Sequence, residues 1–151
     1  MDVNIMPLLP TVQVLLTALV VVVRDLFIEE HQPKGYLAFI SLLGIGLAVA
    51  EILALWGGQE GAFDDSIILD NFALYFSLIF LLAASLTILS SIHYLRQTGI
   101  HEGEFYALIL FATVGMMLMA AANDLLVFFL GLETMSIAVY VLTGMWRASE
   151  R

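Results

Sequence analysis

Asp124 to Trp146 reads DLLVFFLGLETMSIAVYVLTGMW. The run is long and apolar, and it carries one carboxylate, Glu133, near its middle. At about 1.5 Å rise per residue, Glu133 lies roughly 13 Å in from Asp124, close to the centre of a bilayer core about 30 Å thick. A charge at that depth is costly, and such residues usually serve ion paths, relays or buried pairs. The rest of the chain sets the context for that carboxylate.

Composition fixes the class. Hydrophobic residues make up 62% of the 151 positions and charged residues only 13%, and the mean hydropathy is +1.00. A soluble surface needs more charge than this. An all-α integral membrane protein is expected instead, with spans at about Pro7–Phe27, Tyr36–Trp56, Asn71–Tyr94, Phe105–Ala122 and Asp124–Trp146. Nucleic-acid binding is disfavoured, because only five residues are basic and they form no patch. With no cysteine, the chain offers no disulfide, thiolate-bound zinc or iron–sulfur ligand. The N-terminus carries Asp2 and no basic residue ahead of its first apolar run, so it reads as a retained span and not a cleaved signal.

Along the chain, Pro10 falls in the first turn of span one, where a missing N–H is harmless. Gln13 and Thr17 are the polar interior residues of that span and are free to bond to a neighbouring helix. Arg24, Asp25, Glu29, Glu30, His31 and Lys34 form a short polar loop, with Pro33 breaking the helix. In span two, Gly44/Ala48 and Gly46/Ala50 make two small-xxx-small pairs suited to close helix packing. Glu51 lies one to two turns from the end of that span, where it can snorkel or accept a hydrogen bond. Gly57, Gly58, Gly61, Asp64, Asp65 and Asp70 read as a solvated acidic loop, without the spacing of a calcium loop. The hydroxyls of span three (Ser77, Ser85, Thr87, Ser90, Ser91) are able to line a wet path, but they also reach carbonyls of their own helix, and bonding back to that helix is the expected reading. His93 reads as an interfacial residue, and the methionines of span four as adaptable packing. Spans four and five are joined through Asn123 and Asp124 alone, so they must lie antiparallel and adjacent, with Asp124 placed to cap span five. Arg24, Lys34, Arg96, Arg147 and Arg151 all fall on one side, which predicts the N-terminus outside and the C-terminus in the cytoplasm.

On a helix, Leu126, Phe129, Leu130, Ser136, Ile137, Tyr140 and Gly144 share the face of Glu133. Ser136 and Tyr140 are able to supply hydrogen bonds. That face is expected to meet protein or a hydrated cavity, since lipid would leave the acid unsatisfied. No Lys or Arg lies at comparable depth in the five spans. Glu133 therefore either stays protonated or is matched by a base from another helix. A carboxylate switched between those states by a mobile charge is a proton relay, and a neutral acid acting as helix glue is the inert alternative.

The run Gly103–Gly144, GEFYALILFATVGMMLMAAANDLLVFFLGLETMSIAVYVLTG, closely resembles the subunit N family of proton-translocating NADH-quinone oxidoreductases (respiratory complex I). Pro7–Phe27 and Leu69–Leu95 look like that family's first and third spans. The resemblance implies that Glu133 is the family's glutamate on span five, facing a lysine on a later helix that this chain does not contain. It implies residues 1–103 as a three-helix membrane segment and 104–151 as the first two helices of an antiporter-like proton-channel repeat. It also implies a multi-pass place in the cell inner membrane, other membrane-arm subunits as partners, and a complex using NADH, FMN, iron–sulfur clusters and quinone, none bound by this chain. Because the chain stops at Arg151, after span five, it reads as a portion of such a subunit, with no complete active site of its own. A subunit of an Mrp-type cation/proton antiporter, and a non-conducting scaffold, are the alternatives.

Overall fold

The computed structural model describes residues 5–27, 35–58, 60–98 and 102–149. Among them a 3-10 turn at Met6–Leu8 leads into α1 (Leu9–Leu26), followed by α2 (Gly35–Ala54), α3 (Asn71–Thr98), α4 (Glu102–Ala121) and α5 (Leu125–Ser149). Each helix is long and apolar enough to cross a membrane. The expected residues Glu29, Glu30, His31, Pro33, Lys34 and Arg151 lie outside the described part of the chain.

α4 is the hub, packed against α1, α3 and α5. Half of its apolar window is buried within the chain, against 11% for α5. The core follows from that arrangement: Val14, Ala18 and Val21 of α1, Leu37, Ala48 and Ile52 of α2, Leu74, Leu81 and Ile88 of α3, and Tyr106, Leu110 and Met117 of α4. α5 is held by α4 along one stripe and leaves the rest of its circumference bare.

Helix contacts are set by small residues. Gly44 of α2 accepts Thr17 of α1 so closely that any Cβ at residue 44 would collide with the threonine side chain. The second expected pair is not used: Gly46 has no neighbour within 4 Å and Ala50 is exposed. Thr17 donates to its own helix at the Gln13 carbonyl (2.8 Å) and not across to a neighbour. A hydroxyl that satisfies itself in this way is free to pack as a nonpolar shape. Ser85, Thr87, Ser90 and Ser91 likewise donate to carbonyls of α3 one turn back.

The acidic loop is more structured than its composition indicates. β1 (Glu60–Ala62) and β2 (Ile67–Leu69) form an antiparallel hairpin, with Glu60 opposite Leu69 and Ala62 opposite Ile67. Ala62, Ile67 and Leu69 are buried, which seats the hairpin on the end of the bundle beside the 3-10 turn and the ends of α3 and α4. Its turn runs through Phe63, Asp64 and Asp65, all in the left-handed region (φ 54, 53 and 62°). Asp70 then caps α3, its carboxylate accepting from the Ala73 N–H at 2.8 Å.

Candidate functional site

The site is built by α5. Asp124 starts the helix as its sequence position predicts: the carboxylate accepts from the Leu126 N–H at 3.0 Å, and its carbonyl accepts from the Phe128 N–H at 3.0 Å. The helix is then pressed onto α4 at a pair of glycines. A Cβ on Gly115 would stand 2.6 Å from both the Gly131 carbonyl oxygen and the Met135 nitrogen, and one on Gly131 would stand 2.8 Å from the Gly115 carbonyl oxygen. No side chain fits between the two backbones. Met135 and buried Ala138 continue the same stripe at helical spacing.

That contact dictates where Glu133 points. Two residues beyond Gly131, at about 100° per residue, Glu133 is turned roughly 200° away from α4. It is exposed on the outer flank of the bundle. The residues expected on its face are there: Leu126 (65% exposed), Leu130 (54%), Ile137 (57%) and Tyr140 (71%) all look outward. Gly144 has nothing within 4 Å. Among the described residues none hydrogen-bonds to Glu133 or pairs with it, Ser136 and Tyr140 included. The threonines of α5 are satisfied locally, Thr134 at the Leu130 carbonyl and Thr143 at the Tyr140 carbonyl.

Other polar groups sit apart from this flank. Glu51 is half-buried on α2, with Oε2 shielded and without a hydrogen-bond partner among the described residues. Asp25, at the end of α1, packs onto Gly103 at the start of α4. His93 is exposed near the end of α3. Among the described residues no three His, Cys, Asp or Glu side chains gather in a way that could hold a metal ion.

Sequence reasoning overlooked Gly131. Its signal was present, because Gly115 and Gly131 flank a two-residue link and a helix pair joined that tightly must cross somewhere small. Asn123 was overlooked as well. Its backbone N–H donates to the Ser66 carbonyl (2.9 Å) and its side-chain amide to the Asp65 carbonyl (2.8 Å). No local pattern announces a contact that spans 58 positions.

Five apolar helices of spanning length, among the described residues, define a multi-span membrane protein, with a carboxylate part-way along its most exposed helix. The chain is homologous to the N-terminal portion of NADH-quinone oxidoreductase subunit N. It is 46% identical over 97% of its length to a protein of that name from Trichlorobacter lovleyi, and 37% identical over 90% to one from Dehalococcoides mccartyi. It is also 39% identical over 95% of its length to NAD(P)H-quinone oxidoreductase subunit 2 of Thermosynechococcus vestitus. The chain spans only 28–30% of the length of these relatives. No protein-family model matches it.

Proposed function

We propose that the chain acts within the membrane arm of an NADH-quinone oxidoreductase, where Glu133 takes up and releases protons in translocation coupled to quinone reduction. The names of the homologues support the assembly. The position of Glu133 carries the relay reading: a carboxylate halfway along an apolar helix, turned away from its own bundle by the glycine contact, is presented to whatever helix packs next. A bare carboxylate facing lipid is too costly to keep. A base on that next helix would complete a switchable pair, and residues 104–151 would supply the first two helices of the conducting repeat.

In this reading the basic residues Arg24, Lys34, Arg96, Arg147 and Arg151 lie on the cytoplasmic side. The hairpin and the α4–α5 turn then lie outside. The redox groups belong to other subunits.

The test is Glu133→Gln in the assembled complex, reconstituted in vesicles. Glutamine keeps the size and hydrogen-bonding reach of the side chain and removes its titration. At normal assembly, proton translocation should fall by at least tenfold. Unchanged pumping would make the residue inert helix packing.

A further inference from the structure

α5 is attached to the rest of the described chain in two places. One is the stripe on α4 centred on Gly131. The other is at its head, where the two-residue link is tied to the hairpin. Ile67 and Ala122 form an isolated antiparallel bridge, one backbone bond of which is the Asn123 N–H to the Ser66 carbonyl, and the Asn123 side-chain amide adds a donor to the Asp65 carbonyl. The accepting carbonyls sit where the left-handed run Phe63–Asp65 ends. That run is an uncommon conformation for three consecutive residues with side chains, and it persists only where its surroundings over-determine it. The hairpin itself is anchored by buried Ala62, Ile67 and Leu69. It is thus a fixed point, and Asn123 is what α5 holds it by.

The geometry points to Asn123 as a positioning residue. By tying the head of α5 to the 60–69 hairpin, it holds the end of the helix that the Gly115–Gly131 contact leaves free to slide and tilt, and so sets the height at which Glu133 meets its neighbour. The inference rests on the relay reading of Glu133. The mechanical link is short: α5 begins at Leu125, and Glu133 lies eight residues further on, about 12 Å along the helix. Asp124 caps the helix but bonds only within it. Asn123 alone of the link residues uses its side chain to reach another part of the chain.

The experiment uses the assembled complex and a reversible clamp. The chain has no cysteine of its own, and directly opposed antiparallel residues lie within disulfide reach. Ile67→Cys with Ala122→Cys therefore allows the hairpin to be locked to the turn during assembly and released afterwards with a thiol. In this background Asn123 is kept, or changed to Ala, or changed to Asp, which preserves the shape and removes the amide donor.

With Asn123 present, re-oxidation after release should be fast, and pumping should be the same locked or released. With Ala or Asp at position 123, re-oxidation should slow several-fold. The protons moved per NADH should fall severalfold on release and recover on locking. Re-oxidation at the wild-type rate in both variants would overturn the proposal and leave the role of Glu133 untouched. Slowed re-oxidation with full pumping, in a complex that Glu133→Gln silences, would also overturn it. If Glu133→Gln pumps normally as well, the relay reading fails first and the positioning role falls with it.

Discussion

Gly115 and Gly131 touch backbone to backbone: a Cβ on either one would come within 2.8 Å of the other's carbonyl oxygen. Helices meeting this closely gain dispersion contacts and weak Cα–H···O bonds that a larger residue would forfeit. Gly115→Ala should therefore destabilise the chain by about 1–3 kcal/mol, since backbone cannot yield as a flexible side chain would. Reversible unfolding in mixed micelles measures it. Gly46→Ala is the control: with nothing within 4 Å, it should be neutral or stabilise by up to about 1 kcal/mol through helix propensity.

The hairpin turn makes the opposite prediction. Asp64 holds φ 53° between two other left-handed residues. Asp64→Gly should be tolerated or mildly stabilising, whereas Asp64→Val should cost about 1–2 kcal/mol, because a β-branched side chain crowds that region. The same unfolding measurement separates them.

Asp70 accepts from the Ala73 N–H and so closes the first turn of α3. Asp70→Ala should cost about 1 kcal/mol, and Asp70→Ser or Asp70→Asn should recover most of it. Recovery by a neutral cap would show that the hydrogen bond matters, and not the charge.

Thr87 of α3 donates to the Ala83 carbonyl at 2.8 Å. A hydroxyl so engaged is a poor link in a water chain. Thr87→Val should leave proton pumping by the assembled complex within about 20% of wild type, a change far below the factor of ten that marks 1.4 kcal/mol. A large loss would restore the hydrated path through α3 that its composition hints at.

The spans were legible because a bilayer demands about 20 apolar residues in a row, and that demand is local. Asp124 as a cap was legible for the same reason: the bond it makes reaches two residues. What escaped was non-local. Ile67, Ile68 and Leu69 form a short apolar run inside an acidic loop, the one sign that the loop folds back and buries something. Phe63–Asp65 hold positive φ without a glycine among them, so nothing in their identities marks the turn. Gly131 was visible as a residue of the Gly-Leu-Glu run, but the packing that makes it indispensable depends on Gly115, sixteen positions earlier. The two small-residue pairs of α2 look equivalent in sequence, and only the packing distinguishes Gly44 under Thr17 from Gly46 in the open.

The two-residue interval from Gly131 to Glu133 works as a protractor. Insert one residue there and the acid turns by about 100°, part of the way back toward α4. Insert two and it comes within about 40° of α4; insert four and it returns to within about 40° of its bearing, about one turn further along. The outward side chains of this helix leave that bearing untouched, whereas a change in those two steps redirects the carboxylate.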